Sequence, residues 1–355
     1  MAGRRHVLSA EVPESLRPGW EIGRRHFGRR VYFHAPSIRR YSTSEFRQDS
    51  ACSFPAVSIT GSSCRLMCDH CRAHVLKWMK PAVTPEALTA EAARFMRQGA
   101  RGLLVSGGSD ADGAVPLAGF LEAIREVRER FGLRVIVHTG ITGRSLARGM
   151  AAAGVDAALI DIIGCGRTIS DVCHLPQATM ADYERSLANL NDAGVPASPH
   201  VVIGLDRGRI RGELQALEII SRHDIASLVM VGLLPMKDTP MRDVMPPSPE
   251  QMAEIFMAAR ELVPDKPIQL GCERPAGEHR LLTDQLALKA GLNGIAYPAE
   301  GIIGLARKMG LEPEFSGMCC ALGFCPEDKD PEGQSPDPAV TSAGKRGGDA
   351  VKGSG

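Results

Sequence analysis

Three cysteines within eight residues constrain this chain more than any other feature of its sequence. Cys64, Cys68 and Cys71 have the spacing C-x3-C-x2-C and follow the short apolar run 56–60. Three thiolates can hold three irons of a cubic [4Fe–4S] cluster and leave the fourth iron without a protein ligand. An iron with an open position can bind a small molecule that chelates it through an amine and a carboxylate. We therefore interpret residues 61–71 as a cluster loop at the end of a buried strand.

Two other interpretations of the cluster loop agree less well with its spacing. Structural zinc prefers four ligands, commonly two C-x2-C pairs. Here there is one triplet, and the nearby substitutes are His70 and His74. Cysteine can also pack as a small apolar residue, but a triplet beside Arg65, Asp69 and His70 does not have a core composition. The spacing favours an iron–sulfur cluster over both.

The chain from residue 56 onward has a β/α rhythm. Apolar runs of four to eight residues alternate with amphipathic stretches, a pattern typical of a parallel sheet with helices outside it. The predicted strands are 57–60, 102–106, 134–138, 157–163, 200–203, 227–233, 268–271 and 294–297. The predicted helices are 85–98, 117–131, 143–153, 180–193, 212–222, 249–262, 279–290 and 301–309. Eight such units predict an α/β fold of the (β/α)8 TIM-barrel type. The alternative is a six-unit partial barrel with a small lobe from residue 268.

The composition limits the function classes. The formal net charge is +1, which implies no general attraction to nucleic acid. The sequence has no apolar run of about eighteen residues that would predict a membrane span, and no secretory segment. Ten cysteines in 355 residues are not the disulfide pattern of a small secreted protein. They suggest metal or redox chemistry in a reducing cytoplasm, where we expect this protein.

The chain divides into four predicted parts. Residues 1–53 are an irregular, basic lead-in, which is either a solvated face or a docking surface for an acidic protein partner. Its arginine pairs are Arg4-Arg5, Arg24-Arg25, Arg29-Arg30 and Arg39-Arg40. Residues 54–311 contain the barrel, and residues 312–325 form a cysteine-rich segment. Residues 326–355 contain almost no large apolar residues and are predicted to be a disordered tail.

The carboxyl ends of the strands are where a β/α barrel gathers its chemistry. The candidate ligand-binding residues at these ends are Gly107, Gly108, Ser109, Asp161 and Gly204. Bare backbone at the two adjacent glycines would allow a ligand to approach closely. Asp161 lies within the otherwise apolar run 157–163, where a carboxylate is costly to bury without a partner such as a hydroxyl pair or an arginine. His138 ends the third strand, as either a structural residue or a substrate contact.

A second group of cysteines follows the last predicted helix. Cys319, Cys320 and Cys325 form C-C-x4-C, and Cys272 ends the seventh predicted strand. If the cysteine-rich segment returns over the barrel mouth, these thiols would meet. This density of thiols predicts a second iron–sulfur cluster, with a tail of incidental thiols as the alternative. The remaining cysteines, Cys52, Cys165 and Cys173, are interpreted as spectators.

The cluster loop resembles that of the radical S-adenosylmethionine (SAM) enzymes, with His70 where that family usually has an aromatic residue. The resemblance implies that the fourth iron chelates the methionine part of SAM. An electron from the cluster then cleaves SAM to a 5′-deoxyadenosyl radical that abstracts hydrogen from an unactivated carbon. Residues 106–109 resemble the motif that binds the SAM amino group, with Ser109 in place of the usual glutamate. Residues 199–205 resemble the segment that packs on the adenine, and biotin synthase is a member with all eight strands.

The chain over about residues 30–325 resembles the two-component lipoyl synthases of this superfamily. The matching stretches are 30–37, 54–61, 105–108, 115–117, 137–140, 199–205, 271–275 and 318–322. The resemblance implies sulfur insertion into an octanoyl group on a lysine of an acidic lipoyl-carrier domain or H-protein-like substrate. It also implies a second cluster that is consumed as the sulfur source, a related radical SAM subunit, and ferredoxin or flavodoxin as electron donor. The basic lead-in would then meet the acidic carrier. The alternatives are a small-molecule radical SAM enzyme, either biotin-synthase-like or a rearrangement enzyme, and a non-enzymatic iron–sulfur protein.

Overall fold

The computed structural model describes residues 8–37, 40–48, 50 and 52–323. The predicted disordered tail, Cys325, and the arginines Arg4, Arg5 and Arg39 of the lead-in lie outside these described residues. Within the described part of the chain, none of the helices combines the length and the apolar composition needed to cross a bilayer.

One parallel sheet of eleven strands organises the described residues. The strands are β1 (Arg30–His34), β2 (Ala56–Ser58), β3 (Lys80–Pro81), β4 (Gly102–Ser106), β5 (Arg134–His138), β6 (Ala157–Asp161), β7 (Ala197–Ile203), β8 (Leu228–Gly232), β9 (Ile268–Leu270), β10 (Gly294–Ala296) and β11 (Glu312–Ser316). Their order in the sheet is β11-β1-β10-β9-β8-β7-β6-β5-β4-β2-β3. Strands β2 and β4 to β10 lie at the eight predicted positions, and neighbours in this order pair in parallel. The predicted α/β barrel-type fold is confirmed, and a separate lobe from residue 268 is excluded because β9 and β10 continue the same sheet.

The helices connect these strands. They are α1 (Arg17–Phe27), α2 (Pro85–Arg97), α3 (Leu121–Phe131), α4 (Arg144–Ala152), α5 (Gly166–Asp171), α6 (Met180–Asp192), α7 (Glu213–Ser221), α8 (Pro249–Leu262), α9 (Glu278–Lys289) and α10 (Ile302–Lys308). Local chemistry explains several boundaries. The Thr84 side chain accepts a hydrogen bond from Ala87 N at 3.2 Å and caps α2. Gly132, with φ of 65°, ends α3 in the left-handed conformation.

Helix α1 corrects the prediction of an irregular lead-in. Pro18, Gly19 and Gly23 give this stretch a low intrinsic helix propensity, so its sequence does not indicate a helix. The two glycines allow close packing, since a Cβ on Gly19 would lie 2.7 Å from the carbonyl oxygen of Ala290, and a Cβ on Gly23 would lie 2.7 Å from that of Gly291. Tertiary packing against the end of α9 therefore selects the helix.

The ends of the strand order approach each other around an apolar interior. Phe54 N donates a 3.1 Å hydrogen bond to Ser37 Oγ, which links the chain before β2 to the chain after β1. The interior cluster includes Leu104, Ile136, Leu159 and Val229 from the sheet, and Met318, Cys319, Cys320 and Ala321 from the cysteine-rich segment. The carbonyl oxygen of Ala321 accepts hydrogen bonds from Ser198 Oγ at 2.6 Å and Ser227 Oγ at 3.0 Å. The segment therefore lies inside the curled sheet, and the expectation that it returns over the barrel mouth is wrong.

Candidate functional site

The cluster loop follows β2 and lies directly against the loop that follows β4. Arg65 N donates to the carbonyl oxygen of Ser109 at 2.8 Å, and Gly108 N donates to Thr60 Oγ1 at 2.7 Å. A Cβ on Gly108 would lie 2.5 Å from both Cα and Cβ of Cys64. Any side chain at this position would therefore displace the cluster loop. The structure brings the glycine motif and the first cysteine together, as their places in consecutive strand ends predicted.

The backbone of the cluster loop is tightly turned around its second and third cysteines. Both Cys71 N, at 3.2 Å, and Arg72 N, at 2.9 Å, donate to the carbonyl oxygen of Cys68. Met67 and Arg72 have φ of 44° and Ala73 has φ of 60°, a conformation that is unfavourable for residues with a Cβ. Strained backbone of this kind persists only where the surroundings fix it, and it is concentrated at functional sites.

The thiols of the cluster loop form a donor set that fits a multinuclear cluster. All nine described cysteines are free thiols. Among the described residues, no three His, Cys, Asp or Glu side chains are close enough to share a single metal ion. Hydrogen bonding to the Cys68 thiol, followed by burial, raises the pKa of Cys71 to about 12. Thiols that are protonated in the empty loop must release protons when iron binds them as thiolates.

The cysteines read as spectators in the sequence have separate environments. Cys173 is buried beside the cluster loop, and Cys68 Sγ lies 3.6 Å from its carbonyl oxygen. Hydrogen bonding to the Cys173 side chain raises the pKa of Cys68 above its ordinary value. Cys52 Sγ lies 3.4 Å from Gln98 Oε1, and Cys165 is half-buried at the start of α5. Only Cys173 is thus close enough to the cluster loop to influence its thiols.

Asp69 attaches the cluster loop to two neighbouring loops. Its buried carboxylate contacts His174 Nε2 at 3.1 Å and accepts a hydrogen bond from Arg207 at 3.1 Å. Its backbone N donates to the carbonyl oxygen of Val172 at 2.8 Å. The other ring nitrogen of His174 contacts the carbonyl oxygen of Leu66 at 2.8 Å. Sequence reasoning missed this network because His174 and Arg207 are more than a hundred residues away along the chain.

Replacing Asp69 by asparagine should weaken cluster retention. The amide keeps the size of the carboxylate but loses its charge. Its NH2 group is a donor, and it would replace one of the two carboxylate oxygens that accept hydrogen bonds. Two donors would then oppose each other at that contact. Outer-shell partners of metal ligands typically contribute roughly 10- to 100-fold to metal affinity. We expect the reconstituted Asp69→Asn protein to lose iron to a chelator about tenfold faster than wild type. Asp112→Asn, in the exposed loop after β4, is the matched control. Equal rates of iron loss in all three proteins would contradict the role of Asp69.

Three polar side chains lie close together, two at the carboxyl ends of β5 and β6 and one in the middle of β7. Asp161 and His200 are register partners across β6 and β7, and the rings of His138 and His200 lie 5.4 Å apart. Burial lowers the pKa of His138, and burial together with His138 lowers the pKa of His200 to about 4. Asp161 is exposed at its strand end, so the desolvation cost expected of a buried carboxylate does not arise. Bulky apolar residues usually fill a barrel interior, and these polar groups therefore mark a place for a ligand.

Gly204 has a structural explanation in addition to the predicted ligand contact. Its φ is 87°, and a Cβ there would lie 2.4 Å from Cδ of Pro247. Its backbone N donates to Glu213 Oε1 at 2.7 Å. These contacts alone require glycine at this position. The predicted SAM contacts of all five residues stay predictions: Gly107, Gly108, Ser109, Asp161 and Gly204.

A second group of thiols meets inside the sheet. Hydrogen bonds to the thiols of Cys272 and Cys319, followed by burial, raise the pKa of Cys320 well above its ordinary value. Three of the four cysteines predicted to hold a second cluster are therefore neighbours, while Cys325 lies outside the described residues. His34 is 2% exposed beside the backbone of Met318, and burial lowers its pKa to about 4. The second thiol group, defined as Cys272, Cys319 and Cys320, is thus a donor set distinct from the cluster loop, with Cys319 and Cys320 buried and Cys272 half-buried.

Comparison with known sequences identifies a superfamily. Residues 58–217 match the profile of the Radical SAM superfamily. The chain is 28% identical over 210 residues to the biotin synthase of Syntrophotalea carbinolica, covering 58% of this chain and 62% of that protein. It is 26% identical over 275 residues to the biotin synthase of Zymomonas mobilis subsp. mobilis, covering 73% of this chain and 76% of that protein. The first of these matches spans less than two thirds of the relative's length.

Comparison with solved structures supports the fold. The chain is similar to the crystal structure of methylornithine synthase, with a TM-score of 0.58 and 15% sequence identity. The match covers 86% of this chain and 91% of that one. At this level of identity the likeness concerns the fold alone.

Proposed function

This chain belongs to the radical SAM superfamily, and we propose that it inserts sulfur at unactivated carbons of an octanoyl group held on a lysine of a carrier domain. The cofactors of this superfamily are a [4Fe–4S] cluster and SAM. In the proposed reaction the chain is a sulfurtransferase of the lipoyl-synthase kind. We further propose an acidic lipoyl-carrier domain or H-protein-like protein as its substrate, a related radical SAM subunit as its partner, and ferredoxin or flavodoxin as its electron donor.

The observation that carries this proposal is the presence of two separate thiol sets in one barrel. Cys64, Cys68 and Cys71 lie in the cluster loop after β2, and the second thiol group lies inside the same curled sheet. Bound at these two places, the first cluster would supply the electron for SAM cleavage and the second cluster would supply the sulfur. A sulfur inserter needs both functions in one cavity, whereas an enzyme that only rearranges its substrate needs the first alone.

The residues of the chain would hold the reactants in place and keep water away. Gly108 leaves room for the cluster loop, and Asp69 fixes that loop to its neighbours. His138, Asp161 and His200 would bind polar parts of SAM or of the substrate at the strand ends. The apolar interior, with Ile136, Leu159 and Val229 among its members, packs against the cysteine-rich segment and holds the second thiol group inside the barrel. Holding reacting groups in line can contribute roughly 7–11 kcal/mol to lowering a barrier.

A small-molecule radical SAM enzyme of the biotin-synthase kind is the second candidate. Two observations favour it: the two relatives named above are biotin synthases, and the strand ends carry the polar group His138, Asp161 and His200. Such an enzyme would bind its whole substrate inside the barrel. It would therefore act on a free molecule without any carrier protein.

The decisive experiment offers both kinds of substrate to the reconstituted protein. Under anaerobic conditions the protein is incubated with SAM, a reductant, and either an octanoyl-lysine carrier peptide or free octanamide. Mass spectrometry then measures sulfur gain. We expect sulfur in the carrier peptide and none in octanamide, and no gain with the Cys64→Ala protein. Formation of 5′-deoxyadenosine with no sulfur gain in either substrate would refute sulfur insertion but leave the SAM chemistry in place.

A further inference from the structure

Residues 74–83, here called the flanking segment, present both apolar and positively charged side chains to solvent just after the third cysteine of the cluster loop. Trp78 is 52% exposed and Val83 is 58% exposed. Lys77 and Lys80 are exposed beside them, and neither lysine forms an ion pair with another described residue. Large apolar side chains that are exposed next to one another are typical of a surface that binds a partner. The flanking segment is therefore a candidate interaction surface.

The backbone of the flanking segment is held in place by every third side chain. Leu76 and Ala82 are buried, and Met79 packs against the apolar cluster inside the sheet. Ala82 N also donates to the carbonyl oxygen of Ser58 at 2.9 Å, which attaches the segment to β2. Strand β3 lies within the segment and is the last strand in the sheet order, so its outer edge is open. The side chains between these anchors are therefore presented outward from a fixed backbone.

A cavity of about 880 Å³, here called the mouth cavity, borders the flanking segment. Its lining includes Met67 of the cluster loop, His74 and Lys77 of the flanking segment, and Thr239 and Pro240 of the loop after β8. Four strands separate β8 from β2 in the sheet order, so the cavity joins distant parts of the carboxyl-end face. Its volume is within the roughly 300–1,000 Å³ that is typical of ligand sites. A chain attached to a protein bound at the flanking segment could therefore reach the cluster loop through this cavity.

The basic lead-in is less well placed to receive a partner at the barrel mouth. Two of its arginines form ion pairs within the chain, Arg29 with Glu312 and Arg30 with Glu314. These pairs lie where β1 and β11 begin. Since the strands are parallel, their amino ends lie at the opposite edge of the sheet from the cluster loop. The two unpaired lysines of the flanking segment, in contrast, lie directly beside the mouth cavity or one turn away from it.

We propose that the flanking segment is the docking surface for the acidic carrier domain, and that the acyl-lysine arm of the carrier enters the barrel through the mouth cavity. The proposal rests on the carrier substrate of the proposed function and assigns the surface that recognises it. Tryptophan is enriched among the residues that dominate binding energies, which suits Trp78 as the apolar anchor. Lys77 and Lys80 would attract the acidic surface of the carrier and speed its association. A protein that only donates electrons would not need the mouth cavity, and this favours the carrier as the occupant.

The test measures binding of an octanoylated lipoyl-carrier domain to the reconstituted protein by anaerobic isothermal titration calorimetry. We expect Trp78→Ala to raise the dissociation constant about 30-fold, the loss typical of an interface anchor. Replacing Lys77 and Lys80 together by glutamate should raise it about tenfold and remove most of its dependence on salt, because the attraction between unlike charges is lost. The matched controls are Leu262→Ala and Lys308→Glu, which alter exposed residues at the ends of α8 and α10. Both controls should bind the carrier as the unaltered protein does.

Sulfur gain in a short octanoyl-lysine peptide, which lacks the acidic surface, separates docking from chemistry. We expect Trp78→Ala to modify this peptide as fast as the unaltered protein does, which shows that its fold and clusters are intact. Unchanged carrier affinity in Trp78→Ala and in the double lysine variant would overturn the docking surface even if the peptide gains sulfur. Slower cluster reduction by ferredoxin or flavodoxin, with unchanged carrier affinity, would assign the surface to the electron donor instead. Carrier binding that depends on Trp78, without sulfur gain in any protein, would support the docking surface and refute the proposed reaction.

Discussion

Replacing Cys64, Cys68 or Cys71 singly by alanine should abolish the reductive cleavage of SAM. Each substitution leaves two thiols where three irons need protein ligands. The cluster then dissociates, or it stays bound only if another ligand takes the iron position that SAM requires. We expect 5′-deoxyadenosine formation, measured by liquid chromatography after anaerobic incubation with dithionite, to fall to background. Bound iron should fall by about four per chain.

The chain provides two matched cysteine controls for this prediction. Cys165 is half-buried in the loop after β6, and Cys165→Ala should retain both iron and cleavage activity. Cys173 is the informative control because it is buried next to Cys68. Retention of cleavage in Cys173→Ala would show that three thiols are sufficient. Loss of the cluster in Cys173→Ala would mean that a fourth thiolate closes the corner that SAM requires, and the SAM chemistry proposed for this loop would then fail.

The alternation of apolar runs and amphipathic stretches predicted the barrel well, because this pattern is local in sequence and repeats in every β/α unit. Each predicted strand and helix from residue 57 to residue 309 has a counterpart in the structure, with boundaries that differ by at most four residues. Strand β11 was missed because the charged and proline-containing stretch Glu312–Ser316 lacks the apolar pattern of a strand. It forms because β1 offers a free edge, with register from Arg30–Glu312 to His34–Ser316. Whether such a strand forms depends on its pairing with a neighbouring strand, and the local sequence pattern does not indicate that pairing.

Only those parts of the candidate site whose residues are close together in the sequence could be predicted. The cluster loop and the adjacent glycine motif follow from spacing and from consecutive strand ends. The Asp69 network depends on contacts with two distant loops, and no spacing rule indicates them. The complete burial of His34 could not be predicted either, because it depends on the cysteine-rich segment lying inside the sheet, and the sequence of β1 alone does not show that contact.

Arg274 and Asp284 form the most deeply buried ion pair among the described residues, and we expect its loss to cost more stability than the loss of an exposed pair. Both side chains are 0% exposed, and two hydrogen bonds of 2.7 Å and 3.0 Å join the guanidinium to the carboxylate. Arg274 also donates to the carbonyl oxygen of Gly271 at 2.7 Å and to that of Tyr297 at 3.2 Å. Ala299 N donates to Asp284 Oδ2 at 2.8 Å. The pair therefore joins the loops after β9 and β10 to helix α9.

Asp284→Asn should lower the free energy of unfolding by about 3–5 kcal/mol, the usual cost of removing one partner from a buried pair. The arginine then stays buried with its charge uncompensated, and the loop that carries Cys272 loses its anchor. Urea denaturation of the cluster-free protein, followed by circular dichroism, measures the change. Glu122→Gln removes the exposed i,i+3 pair with Arg125 and should change the unfolding free energy by less than about 1 kcal/mol.

If Asp284→Asn unfolds at the same urea concentration as Glu122→Gln, the buried pair does not stabilise the end of the barrel. If only Asp284→Asn unfolds early and also fails to retain the second cluster, the same ion pair both stabilises the fold and positions Cys272.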